Sequence, residues 1–199
     1  VRLLDLPGTY SLTAYSAEER VAREALLERQ AVAIVCVIDA SNLERNLYLL
    51  TQLVELDIPV VVALNMVDEA ERLGLVIDTR RLEKLVGVPV VPTVGRRGDG
   101  VTELIEAAVK VAREGRRPKP FSLGSHIEEA VAEIEPLVTS LDGVEAGRER
   151  FLALKLLERD PELMSGAHYR LPQEVLDRVA EVRAELEEHL GEDTEILVA

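Results

Sequence analysis

Three short segments of this chain carry residue types that could read a nucleotide. Asp5-Leu6-Pro7-Gly8 closes one apolar run, and Asn65-Met66-Val67-Asp68 closes another, Val60–Leu64. An acid at the end of the first run can hold a water on Mg²⁺. A glycine three positions later lets its backbone N–H approach a γ-phosphate oxygen. The aspartate ending the second run can accept two hydrogen bonds from N1 and N2 of guanine, a pair that adenine does not offer. Asn65 would tie neighbouring loops together, and the Met66 side chain could cover one face of the base. Thr93-Val94-Gly95-Arg96 follows Val88–Pro92 as the third segment, with a backbone N–H expected at the guanine O6. Each has a plainer reading: a strand end with a Pro-Gly turn, an Asx turn, and a glycine loop before a helix at Val101–Ala112. Taken together, all three fall at carboxyl ends of expected strands, where open α/β sheets bind ligands.

The elements that must position them are legible in outline. Val1–Leu4, Val32–Ile38, Pro59–Leu64 and Val88–Val91 are short apolar runs, as expected of strands covered on both faces. Ser16-Ala-Glu-Glu19 and Ser41-Asn-Leu-Glu44 read as capping boxes opening helices. Leu43, Leu47, Leu50 and Val54 then form one helical stripe. Alternation of strand and helix argues for a parallel α/β sheet with right-handed crossovers.

Composition changes at Gly115-Arg-Arg-Pro-Lys-Pro120, a basic linker that cannot be helical throughout. Beyond it only Ile196–Val198 has the look of a strand. Ser125-His-Ile-Glu128 is a third capping box. Ile127, Val131, Ile134, Val138 and Leu141 follow at helical spacing, with Pro136 expected to kink or split that helix. Phe151–Leu157 and Val175–Leu190 continue the pattern. From Arg116 onward there are 10 basic and 19 acidic residues, net −9. The fold class expected is therefore α/β, a truncated parallel-sheet P-loop GTPase fold over residues 1–115, followed by an all-α bundle over 121–199.

A net charge of −14 repels phosphate backbones, so nucleic acid is not an expected partner. The single cysteine, Cys36, sits in the apolar run Ala31–Ile38 and reads as a small buried hydrophobe. That run is far short of the ~20 residues that span a bilayer, and no signal peptide opens the chain, so the chain is expected to be soluble and cytosolic.

Three segments resemble the GTPase domain of the FeoB family of bacterial ferrous iron transporters. They are Asp5-Leu-Pro-Gly-Thr-Tyr-Ser-Leu12, Asp39–Leu50 and Asn65-Met-Val-Asp-Glu69, where methionine replaces the usual lysine of the guanine motif. Arg150–Glu158 is similar to that family's helical domain, often likened to a GDP-dissociation inhibitor. The resemblance implies GTP or GDP with Mg²⁺ as cofactors and a place at the cytoplasmic face of the inner membrane. It implies a pore domain of the same transporter as partner and leaves self-association open. It puts Asp5, Leu6, Pro7 and Gly8 at Mg²⁺ (through water) and the γ-phosphate. Asn65, Met66, Val67 and Asp68 would lie at guanine, and Val94, Gly95 and Arg96 along its O6 edge. No G-x-x-x-x-G-K-[ST] occurs in the 199 residues. The chain therefore reads as a GTPase domain lacking its first third, which as given should neither hold GTP well nor hydrolyse it. Thr9 stands where small signalling GTPases carry a water-orienting glutamine.

The alternative is a nucleotide-free pseudo-GTPase whose bundle is an interaction module; a dinucleotide oxidoreductase is set aside for want of G-x-G-x-x-G. His126, His168 and His189 are far apart and read as surface or cap residues. Glu185–Glu188 with Glu192-Asp193 reads as a solvated helix face. Tyr10 and Tyr15 are expected to pack on the following helix, and Asp99-Gly100 to form a turn, with Thr102 an alternative cap.

Overall fold

The computed structural model describes residues 2–13, 16–28, 31–166 and 169–198. It has two compact units, Val1–Arg23 with Phe121–Ala199, and Glu24–Pro120, so the division falls inside helix α1 (Ala17–Glu28). Packing thus groups the first 23 residues with the helical region, whereas the sequence reading divides the chain at 115–121.

In the second unit β1 (Ile34–Asp39), β2 (Val60–Asn65) and β3 (Val90–Pro92) form a parallel sheet in the order β1-β2-β3. Ile34 pairs with Val60 through to Asp39 with Asn65, and Val62 with Val90 through to Leu64 with Pro92. The central strand β2 is buried from Val60 to Leu64, which is why its sequence is a continuous apolar run and not an alternation. Helices α2 (Leu43–Val54), α3 (Val67–Arg72) and α4 (Thr79–Val86) make the connections, and α5 (Val101–Glu114) follows β3. The α2 stripe turns Leu50, Leu53 and Val54 inward. Neither α3 nor α4 was expected from periodicity, although Asp78 caps α4 by accepting the Arg81 N–H at 2.9 Å.

The strand expected at Val1–Leu4 does not form. Residues 2–9 carry no regular structure, and Leu3 and Leu4 are exposed. A strand needs a neighbour, and neither edge of the sheet pairs with this segment. Of the three capping boxes only the first closes reciprocally, Ser16 N–H to Glu19 Oε2 at 3.0 Å and Glu19 N–H to Ser16 Oγ at 3.1 Å. Ser41 instead gives both its N–H and its hydroxyl to Asp39 Oδ1, so α2 begins two residues later. Glu128 reaches back, but to the Leu123 N–H.

The first unit is built from α6 (Ser125–Thr139), α7 (Glu149–Leu157), α8 (Pro161–Met164), α9 (Gln173–Leu190) and α10 (Thr194–Val198). Pro136 neither splits α6 nor ends it, since it lies near the carboxyl end and Ile127, Val131, Ile134 and Val138 stay buried on one face. Ile196–Val198 is the end of α10, not a strand. Helix α7 is buried on all sides from Phe151 to Leu157, so Lys155 lies in the core. No helix among the described residues is long and apolar enough to cross a membrane.

Candidate functional site

At the carboxyl end of β2 the chain turns sharply. Met66 takes a left-handed conformation, φ 60° and ψ 33°, and Val67 opens α3. A non-glycine residue in that region signals a backbone held by its surroundings. Here the hold comes from Asn65, whose Oδ1 accepts the Gly95 N–H at 2.9 Å and the Thr93 hydroxyl at 3.3 Å. Thr93 N–H bonds Leu64 O at 2.8 Å, and Ala40 N–H bonds Asn65 O at 2.8 Å. One asparagine thus ties the ends of all three strands, as its sequence position suggested. Met66 stays partly exposed beside it.

Asp68 lies in the first turn of α3 with its carboxylate accessible. Arg96 Nη2 donates to its Oδ2 at 2.5 Å, and Arg97 Nη1 stands 3.8 Å away. The hydrogen bond from Arg96 holds the Asp68 carboxyl below its ordinary value, against the opposing effect of desolvation. Arg97 in turn pairs with Asp99 at 2.8 Å. Val94 N–H bonds Asp99 O at 3.0 Å and Arg97 N–H bonds Val94 O at 2.9 Å, closing the loop into a tight turn. One residue that fixes this turn carried no functional reading in the sequence: Gly100, at φ 75°, where an added Cβ would come within 2.1 Å of Pro92 O; its only sequence signal was the Asp-Gly pair.

The structure therefore brings Asn65, Met66, Val67 and Asp68 together with Val94, Gly95 and Arg96 inside one unit. Asp5, Leu6, Pro7 and Gly8 belong to the other unit, in an exposed irregular segment with Leu6 half-buried. Just beyond it, Thr9 Oγ1 bonds Ser11 O at 2.6 Å, and Ser11 Oγ lies 2.6 Å from Thr13 Oγ1. Tyr10 is exposed, not packed down; Tyr15 lies outside the described residues. Mg²⁺ is ordinarily held by one or two carboxylates together with nucleotide phosphates. Asp5 is a single exposed carboxylate, and the described residues gather no group of three His, Cys, Asp or Glu able to hold a metal. They do not by themselves fit the ion.

Cys36 is buried with its thiol pushed up to about 12 by burial, which leaves it inert. The histidines need a correction: α6 and α9 bring the His126 and His189 rings to 4.2 Å, centroid to centroid, and His168 is outside the described residues.

Comparison with known proteins settles the lineage. Residues 1–108 match the family model of ferrous iron transport protein B, and residues 124–199 match that of the FeoB cytosolic helical domain. The chain belongs to the FeoB family. A fusion protein of Fe(2+) transport protein A and Fe(2+) transporter FeoB from Porphyromonas gingivalis is 44% identical over 169 residues, covering 82% of this chain and 20% of that protein. The Fe(2+) transporter FeoB of Staphylococcus aureus is 32% identical over 191 residues, 96% of this chain and 28% of its own. The chain thus spans less than a third of these curated relatives. Among solved structures, mGMPPNP-bound NFeoB from S. thermophilus superposes with a TM-score of 0.88 at 37% identity, over 98% of this chain and 72% of that one. NFeoB bound to GDP·AlF4⁻ and K⁺ does so at 0.90 and 36%, over 98% and 74%. The fold is accordingly the parallel-sheet P-loop GTPase fold of NFeoB followed by a helical region.

Proposed function

We propose that the sheet unit is the base-reading half of a guanine-nucleotide site, in a transporter that binds and hydrolyses GTP to regulate ferrous iron passage. The observation that carries this reading is the Asn65 brace. It supports a rim between α3 and the loop after β3 on which the Asp68 carboxylate would accept from guanine N1–H and N2–H, the O6 contact falling to an amide of that loop other than that of Gly95, whose N–H Asn65 holds. Relatives of the same fold hold guanine nucleotides, by the names of the S. thermophilus structures, which supports carrying the ligand over. Met66, Val67, Val94 and Arg96 line that rim. Asp5, Leu6, Pro7 and Gly8 are proposed for the phosphate end, and residues 1–115 and 121–199 for the GTPase and helical domains. The pore of the same transporter is the proposed partner of the helical domain, at the cytoplasmic face of the membrane.

Without a G-x-x-x-x-G-K-[ST], the 199 residues lack the usual anion cradle, so GDP binding is expected to be weak yet guanine-selective. Titration of the chain with GDP and ADP tests this. Asp68→Ala should weaken GDP by about ten- to a hundredfold, the worth of a charge-assisted pair, and abolish the preference over ADP. Equal affinity for GDP and ADP in the unsubstituted chain would overturn the reading.

A further inference from the structure

Asp68, the carboxylate assigned to the base, is already engaged. Arg96 lies one residue past the Gly95 amide and reaches back across the rim to Asp68 Oδ2 at 2.5 Å. Its own side chain is largely in solvent, and among the described residues no other carboxylate is paired with it. Arg97 stands behind at 3.8 Å, but its guanidinium is committed to Asp99 at 2.8 Å. A guanidinium and the N1–H/N2–H edge of guanine present the same feature to a carboxylate: two N–H donors on one carbon. Both therefore suit the same acceptor oxygens.

We propose that Arg96 is a built-in competitor for the guanine-reading carboxylate, a latch that the base must displace to enter. The proposal rests on the guanine reading above and deepens it by making residue 96 a determinant of nucleotide affinity. An exposed ion pair is weak, so the latch lowers guanine affinity modestly and does not block the site. Because it acts only through Asp68, it discriminates against guanine alone and leaves adenine nucleotides unaffected. Added salt loosens the latch, because the pair is solvent-exposed. The groups facing Asp68 are Arg96 and Arg97 from the loop after β3, with Arg72 of α3 turned to Glu69.

The test is a nuclear magnetic resonance titration of the 199-residue chain with GDP and with ADP, which reads weak binding directly. It compares the unsubstituted chain, Arg96→Gln, Asp68→Ala and the double variant. The latch predicts that Arg96→Gln raises the Asp68 titration midpoint. It also predicts that Arg96→Gln tightens GDP by about two- to fivefold, leaves ADP unchanged, and gives no gain when Asp68 is already alanine. Unchanged or weaker GDP binding in Arg96→Gln, with Asp68→Ala still damaging, would overturn the latch and leave the base site standing. GDP binding indifferent to Asp68→Ala would overturn both.

Discussion

In the helical unit oppositely charged side chains pair in the core; in the sheet unit the charged groups of the candidate site stand at the strand ends. Arg23 and Asp160 are 1% and 0% exposed and meet at 2.6 Å. Lys155 Nζ bonds Glu158 at 2.5 Å and Thr13 Oγ1 at 3.4 Å. Both cations stand near the Phe151 ring, its centre 5.8 Å from the Arg23 guanidinium and 5.9 Å from the Lys155 amine. Burial pushes the Lys155 amine below its ordinary range, opposed by Glu158 and Asp160. The central strand of the sheet unit is aliphatic by contrast, and Asp68, Arg96, Arg97 and Asp99 stand around the candidate site where water reaches them. Buried pairs fix geometry and punish the loss of one partner; exposed pairs are cheap to break and so can be exchanged for a ligand. The helical unit thus uses charge to hold the segment after Asp5-Leu6-Pro7-Gly8 against α7 and α8. The sheet unit uses it to receive something.

The contrast is broken most forcefully by removing one side of the buried pair. Asp160→Ala leaves the buried Arg23 with only Glu162 Oε2, 3.9 Å away, among the described carboxylates, and strips the cap that bonds the Glu162 and Leu163 amides. A loss of about 3–5 kcal/mol is expected in urea unfolding, largely recovered by Arg23→Met in the same chain. A loss below about 1 kcal/mol would mean that the pair is wet. In the sheet unit the largest effect comes from the backbone. Gly100→Ala collides with Pro92 O and should cost about 1–3 kcal/mol while displacing the Gly95 amide from Asn65. Retention of that hydrogen bond, read by amide exchange at Gly95, would show the turn to be softer than described.

The smallest effect sharpens the same line within the helical unit. Arg150 grips Glu128 with both nitrogens, at 2.7 and 3.0 Å, near the surface. That contact holds the Glu128 carboxyl below its ordinary 4.5, chiefly through the Arg150 hydrogen bond. Its stabilisation is complete above the ordinary value and is lost as pH falls through the lowered one. Arg150→Ala should therefore cost about 0.5–1 kcal/mol at neutral pH and less in acid, where its contact with Phe121 O remains, by unfolding curves at both. An equal cost at both would assign Arg150 to packing instead.

How far the sequence carried depended on whether a signal was local. The run Val60–Leu64 with Asn65 and Asp68 behind it contains its own strand, turn and helix start, so the site's centre was readable. Val1–Leu4 looked equally strand-like, yet a strand is a property of a pair, and no neighbour in the sheet takes it. The Ser41 box failed because Asp39, two residues earlier, offers a better acceptor. Lys155 looked like one polar position on an amphipathic helix. Only the arrival of other helices on every side of α7 buries it, and no local pattern encodes that. Arg96 was legible as a neighbour of the base but not as a partner of Asp68, because the pair spans 28 positions of sequence.

The most direct test of the central claim is residue by residue. Amide and methyl spectra of the chain with saturating GDP should shift Asn65–Asp68 and Thr93–Arg97, with ADP shifting neither set. Shifts spread over α6–α10, or the same pattern with ADP, would contradict a guanine-reading site at the carboxyl ends of β2 and β3.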